Sequence, residues 1–211
     1  MKLGSNLRAK KNMKAITEEI IKIDPKFWKI IESSKLCDIG LIKNRDPHFK
    51  TLVQAIISQQ LATKAAETIN QRVAAMINDK FEPEIFLNFS TKELKSTGVS
   101  GAKARAITEL SLASLNKSID YEKFDRLSNN EITQQLTSVW GIGQWTSEMF
   151  LIFQLSRLDV WPVGDLAVRR GWMKIHNSKT EISPEKLALK GNRFAGFQSV
   201  VAWYCWRAVD N

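Results

Sequence analysis

Cysteine is scarce in this chain: Cys37 and Cys205 are its only two among 211 residues. Two thiols exclude a disulfide framework and a four-cysteine zinc or iron–sulfur site built from this chain, and they fit a reducing compartment. Histidine is equally rare. His48 and His176 show no metal-ligand spacing and are read as non-catalytic. No apolar run approaches the roughly 18 residues needed to cross a bilayer, so no membrane partner is expected. The N-terminal stretch carries Lys2, Arg8, Lys10, Lys11 and Lys14 without an acid and without the apolar core of a signal peptide. It reads as a solvated basic tail, with a DNA-touching arm or a transit peptide as alternatives. An alternating strand pattern is missing, as are low-complexity stretches and repeats of roughly 30–40 residues.

What is present is helix punctuation. Asp24-Pro25 and Asp46-Pro47 each set a capping residue before a proline at the first helical position. Ser90–Glu93 and Ser128–Glu131 match the capping box, and Ser183-Pro184-Glu185 opens a further helix. Gly98 and Gly171 stand where helices are expected to stop. These marks predict about ten short helices with tight connections, an all-α protein. Lys and Arg number 31 against 22 acids, a net charge of +9, which favours a polyanionic partner such as nucleic acid. Seven Trp and ten Phe are many for this length, so some are expected to serve as flat surfaces for bases.

The most informative run is Leu136 to Phe150, with Asp165 beyond it. A helix carrying Ile132, Leu136 and Val139 breaks at Gly141-Ile142-Gly143. The next helix places Trp145, Met149, Ile152 and Phe153 on an expected core-facing stripe. The turn must therefore lie at the surface. Its bare backbone and the positive end of the following helix suit a phosphate. Asp165 precedes a helix expected over Leu166 to Arg170, where it is a favoured N-cap. It is also an isolated acid in an apolar and basic segment.

At these residues the sequence resembles the helix–hairpin–helix family of DNA glycosylases. The resemblance rests on Asp46 to Ala66, Leu94 to Arg105, Val139 to Met149 continuing through Asp159 to Gly171, and Trp203-Tyr204-Cys205-Trp206-Arg207. Together these blocks cover most of residues 46–207 in the family's order. The match is nearest the alkylpurine branch, the DNA-3-methyladenine glycosylase II group. The resemblance implies two helical lobes with an active cleft between them, and leaves no room for the N-terminal β domain of some relatives. The expected division is residues 1–45 as N-terminal helices packing with the C-terminal part, and 46–158 as a central lobe with the hairpin motif at about 131–155. Residues 159–211 then hold the catalytic Asp segment and the C-terminal helices.

The resemblance makes Asp165 the catalytic carboxylate. Breaking a base–sugar bond builds positive charge on the sugar, which a fixed carboxylate stabilises while it positions or deprotonates water. A purine alkylated at N3 or N7 is already cationic and leaves without a strong general acid. Capping N–H groups would keep the acid ionised, so cap and catalyst are compatible roles. Gly141, Ile142, Gly143 and Thr146 are implied as the DNA-backbone hairpin, with a monovalent cation bridging carbonyls and phosphate. Relatives that also nick the strand carry a lysine where this chain has Trp145. The expected reaction is therefore monofunctional and leaves an abasic site. Trp145, Trp203 and Tyr204 are implied as base pocket, with Trp203 placed nearest the cleft ahead of Trp206. Gln60 and then Leu61 are implied as gap-filling residues, and Lys103, Arg105, Arg169 and Arg170 as phosphate contacts on the cleft rim.

The segment Phe194 to Ser199 departs from the branch: Gly196, Phe197 and Gln198 stand where Pro, Tyr and Arg are usual. The expected partner is double-stranded DNA containing alkylated bases, bound by a monomer with no redox cofactor, cluster or catalytic metal. The expected location is the cytoplasm, with the nucleoid, in a prokaryote and the nucleus in a eukaryote. A non-catalytic DNA-binding protein and a glycosylase with lyase activity are the competing readings.

Overall fold

The computed structural model describes residues 2–41 and 46–210, with side chains from Lys10 onward. The Lys2 and Arg8 side chains of the basic N-terminus lie outside the described residues, while Lys10, Lys11 and Lys14 are exposed. Among the described residues there is no strand, and no helix is long and apolar enough to cross a membrane. The chain forms two compact units, one of residues 45–150 and one of residues 1–44 with 151–211.

In the unit of residues 45–150 the helices are α3 (His48–Ser58), α4 (Thr63–Met76), α5 (Pro83–Leu87), α6 (Thr91–Ser96), α7 (Gly101–Leu115), α8 (Asn129–Thr137) and α9 (Gln144–Met149). Its centre is the α3–α7 packing. Leu52, Val53, Ile56 and Ile57 of α3 and Ala104, Ile107 and Leu110 of α7 are wholly removed from solvent. Each large aliphatic chain so buried contributes about 1.5–3 kcal/mol. Ser90 and Ser128 form complete capping boxes with Glu93 and Glu131. Asp46 does not cap α3 as expected. Pro47 occupies the cap position, and Asp46 pairs with Lys50 at 3.2 Å. The His48 ring lies among Tyr121, Phe124 and Phe150, and this burial pushes its pKa below the ordinary imidazole value.

The other unit holds α1 (Lys2–Ile23), α2 (Trp28–Ser33), α10 (Leu166–Ile175), α11 (Pro184–Gly191) and α12 (Gln198–Asp210). Asp24 ends α1 and its carboxylate accepts the Lys26 amide at 3.2 Å, as the Asp-Pro signal predicts. The same carboxylate accepts from Arg193 and from His176 Nε2. Burial pushes the Asp24 pKa up, but the His176 and Lys26 hydrogen bonds and the Arg193 charge bring it below the usual carboxylate range. His176 stacks on Trp172 at 4.2 Å, and its ring nitrogens lie 2.8 Å from Asp24 Oδ2 and 2.8 Å from the Trp172 carbonyl. The histidine is thus a cross-link within the fold.

Two expectations are corrected here. Gly171 does not end a helix; it lies inside α10, packed against α12. A Cβ there would sit 1.9 Å from the Cys205 carbonyl oxygen, so only glycine allows the two backbones to come this close. The stripe after the hairpin forms only in part, since Ile152 is buried and Met149 half-buried as expected but Trp145 and Phe153 are not. Beyond α9 the helix widens into a π turn over Phe150–Gln154, which shifts the phase of the side chains. Thr146, Ser147, Glu148, Phe150, Leu151 and Ile152 turn inward, and Trp145 and Phe153 stay 50% and 49% exposed. The division into units falls within this turn, so residues 151–158 belong to the unit of residues 1–44 and 151–211 and not to the expected central lobe.

Gly171→Ala should lower stability by about 3 kcal/mol or more, since backbone rather than a flexible side chain must give way. Gly143→Ala, where an added carbon meets nothing within 4 Å, should cost only about 1 kcal/mol. Denaturant unfolding followed by tryptophan fluorescence measures both.

Candidate active site and nucleic-acid interface

Asp165 ends a loop that is pinned along its length. Ser199 Oγ accepts the Val160 amide at 3.0 Å and lies 2.8 Å from the Arg157 carbonyl, to which it donates. Trp161 donates its indole N–H to the Leu187 carbonyl at 2.9 Å, and the Asp165 amide donates to the Pro162 carbonyl at 3.0 Å. The Asp165 carboxylate is buried, with only 7% of the residue exposed. Its Oδ1 accepts the Val168 amide at 2.8 Å, the N-cap bond of α10, and the Trp206 indole N–H at 3.3 Å. Trp206 packs against Phe153 with ring centroids 5.5 Å apart, and Phe153 is half exposed. Beside Phe153 a hollow of about 170 Å³ is lined by Asp38, Ile39, Gly40 and Ile152. The acid, its indole donor and an accessible ring therefore form one surface within a single unit.

That arrangement corrects the choice of aromatics. Trp203 is buried and donates its indole N–H to Asp38 at 3.1 Å, with the Arg207 guanidinium 5.2 Å from its ring centre. Tyr204 has no exposed surface and packs edge-on to Trp203. Both belong to the core, and Trp206 is the ring that reaches Asp165. Phe153 was missed because the helical stripe assigned it to the interior. Burial raises the Asp38 pKa, but the Lys35 ammonium at 2.8 Å and the Trp203 N–H bring it below its ordinary value. Burial pushes the Cys37 thiol up to about 12 and also raises that of Cys205, where the Asp165 charge adds to the effect.

The second cluster belongs to the unit of residues 45–150. α8 and α9 meet through the turn Val139 to Gly143, closed by the Ile142 amide on the Val139 carbonyl at 3.1 Å. Val139 and Ile142 bury their side chains, and Ser147 donates to Thr133 at 3.2 Å, joining the two helices. Gly141 has φ +90°, and a Cβ on it would lie 2.6 Å from Ala106 Cβ. Gly143 caps α9 and faces open space. The first-turn N–H groups of α9 have no acceptor within the helix and point out of its positive end. Thr146 is buried and its hydroxyl accepts from Gln59 at 3.2 Å, so its side chain is an internal strut and not a surface contact.

Gln60 and Leu61 form an exposed corner after α3, and Gln60 adopts φ +55°. Lys103 is no rim phosphate contact: its ammonium donates to the Ile57 carbonyl at 2.8 Å and the Gln59 carbonyl at 2.7 Å. Burial there pushes its pKa down from the ordinary lysine value. Arg105 lies 4.3 Å over the exposed Trp140 ring beside the turn, and Arg169 is tied to Glu181 at 2.7 Å. Arg170 is exposed. Gln59, which joins the corner to the turn, carried no signal of its own beside Gln60. In the departing segment, Gln198 accepts the Gly196 amide at 3.1 Å, and α12 begins there.

Residues 53–195 match the family described as HhH-GPD superfamily base excision DNA repair protein. DNA-3-methyladenine glycosylase 1 of Schizosaccharomyces pombe is 34% identical over 170 residues, 79% of this chain and 74% of that protein. The crystal structure of a DNA-3-methyladenine glycosidase from Bacillus halodurans superposes with a TM-score of 0.81 at 30% identity, covering 92% of this chain and 88% of that one. The Schizosaccharomyces pombe 3-methyladenine DNA glycosylase in complex with abasic DNA gives 0.75 at 29% identity, covering 86% and 89%. The chain, with a helix–turn–helix in one unit and a buried, capped acid in the other, belongs to the HhH-GPD superfamily of base excision DNA repair proteins.

Proposed function

We propose that this chain is a monofunctional DNA glycosylase that flips an alkylated purine, 3-methyladenine or 7-methylguanine, out of double-stranded DNA and hydrolyses its N-glycosidic bond. The observation that carries the reading is the Asp165 carboxylate, fixed by the Val168 and Trp206 N–H groups beside an accessible aromatic surface. The bond between base and C1′ breaks with its electron pair going to the base, which cancels the charge the alkyl group placed there. The sugar is left as an oxocarbenium ion. Asp165 opposes that charge, water bonds to C1′, and the carboxylate accepts the proton water gives up. The cationic base leaves on its own charge, so the step needs no bound cofactor or metal, and we propose none. The Phe153–Trp206 surface offers a π face to an electron-poor base, a contribution of about 1–3 kcal/mol.

The DNA backbone is gripped by the Gly141–Gly143 turn and the first turn of α9. That grip reads no sequence and should weaken steeply with salt. A monovalent cation at the turn would be held by backbone carbonyls of the Val139–Gly143 segment, each of which keeps a lone pair beyond any hydrogen bond it accepts. It would neutralise phosphate charge, and no step of base release passes through it. Gln60 and Leu61 would fill the gap left by the flipped base. Trp145 supplies no amine for a Schiff base, which supports hydrolysis without strand cleavage.

Incubated with methylated duplex DNA, the protein should release free methylpurine and leave alkali-labile sites. Asp165→Asn should bind the duplex and lose about a hundredfold or more of the single-turnover release rate. Full release by that variant would overturn the mechanism. Wild-type protein should neither cut the strand without alkali nor form a DNA adduct trapped by borohydride; either event would refute the monofunctional reading. Affinity measured across salt concentrations tests the phosphate contacts. Arg170→Ala should reduce the slope of log K against log[salt] by about 0.9, and Lys103→Met should leave it unchanged.

A further inference from the structure

The corner that carries Gln60 and Leu61 is a turn closed within itself by the Leu61 amide on the Ser58 carbonyl at 3.2 Å. α3 ends at Ser58, and the last carbonyls of a helix have no acceptor role left within it. Gln60 then takes a left-handed backbone conformation, φ +55°, which a residue with a side chain keeps only where its surroundings enforce it. Two side chains add ties between the turn and residues outside it. Lys103, reaching from α7, donates to the Ile57 and Gln59 carbonyls at 2.8 and 2.7 Å, so one ammonium closes the end of α3 and the corner together. Gln59 turns the opposite way. Its amide nitrogen donates to the Gly141 carbonyl at 3.0 Å and the Thr146 hydroxyl at 3.2 Å. One side-chain amide therefore spans the corner, the hairpin turn and the first turn of α9. Gly141 is held from its other side by Ala106 of α7, the helix that carries Lys103.

We infer that Gln59 and Lys103 are positioning residues that make the gap-filling corner and the hairpin a single rigid body, so that the hairpin's seat on the DNA backbone sets how far Gln60 and Leu61 enter the duplex. Neither residue needs to touch DNA for this. The inference rests on the gap-filling reading of Gln60 and Leu61. A flexible amphipathic corner would have to be ordered on each encounter with the duplex, and a pre-tied one is not.

The test compares four proteins on methylated duplex: wild type, Gln59→Met, Gln60→Ala/Leu61→Ala, and the triple variant. Single-turnover base release is measured, together with 2-aminopurine fluorescence beside the lesion as a report of unstacking. Gln59→Met keeps the side-chain length and loses both donors. It should slow release and unstacking by about tenfold or more, while affinity for undamaged duplex changes less than about twofold. In the background lacking the corner side chains the same change should cost less than about twofold, because its effect passes through them. Lys103→Met should repeat the pattern from the other side, and Lys103→Arg should restore most of the rate. Full activity in Gln59→Met, or losses that multiply independently in the triple variant, would overturn the inference. If Gln60→Ala/Leu61→Ala alone releases base at the wild-type rate, the gap-filling reading fails and the inference fails with it. A slow Gln59→Met would then act through the hairpin only.

Discussion

The Asp165–Trp206 surface depends on the approach of α10 to α12 at Gly171. With no carbon beyond Cα at that position, the Cys205 carbonyl rests against the α10 backbone. Trp206 is the next residue along α12, and its indole N–H reaches the carboxylate at the other end of α10. Asp165 and Gly171 stand less than two helical turns apart, a separation of roughly 9 Å along the axis. A helix pushed outward by one methyl group would carry Trp206 out of hydrogen-bond range. The pairing of acid and indole is thus a consequence of backbone packing, set by a glycine that touches neither.

Asp165 illustrates how a structural role and a chemical one occupy one side chain. As an N-cap it accepts the Val168 amide, which satisfies an orphan donor of α10 and fixes the carboxylate's direction. In the proposed reaction it would have to be held in one place before the sugar develops charge, since a fixed charge needs no reorganisation at the moment of reaction. The cap bond and the indole bond meet both needs. They also account for the company the residue keeps. The loop before it is pinned by Ser199 and Trp161, and those bonds decide where the helix, and hence its cap, begins.

What could be read from the sequence was what depends on neighbours in the chain. The capping boxes at Ser90 and Ser128, the Asp24-Pro25 start and the capping position of Asp165 are set within three residues, and they form as expected. The hairpin was legible because two glycines about one apolar residue leave few other conformations for a turn. What depends on the phase between distant helices was not legible. Three aromatic side chains within four residues of α12 cannot be ranked without knowing which face α10 covers, and the sequence alone does not separate Trp203 from Trp206. A π turn left no mark in the apolar pattern, so Phe153 was assigned inside. Lys103 looked like a rim charge because a lysine's stem is long and flexible, and nothing local showed that the end of α3 was within its reach. Gly171 shows a related ambiguity, since the same residue serves to stop a helix and to admit a neighbouring backbone.

The glycines of the hairpin separate along similar lines. Gly141 is required from inside, by its left-handed backbone and by Ala106 pressed against it. Gly143 is required by nothing in the protein: its φ is −95° and its missing side chain faces open space. A turn that needed only to reverse the chain would have no use for a bare backbone there. In the proposed DNA complex a phosphate would approach the N–H groups of α9 from outside, and a methyl group at the cap would stand between them. One glycine builds the turn, and the other leaves its outer face clear. Since Gln59 holds the carbonyl of the first, the corner of Gln60 and Leu61 is fastened to the inner part of the hairpin, leaving the outer face at Gly143 unencumbered.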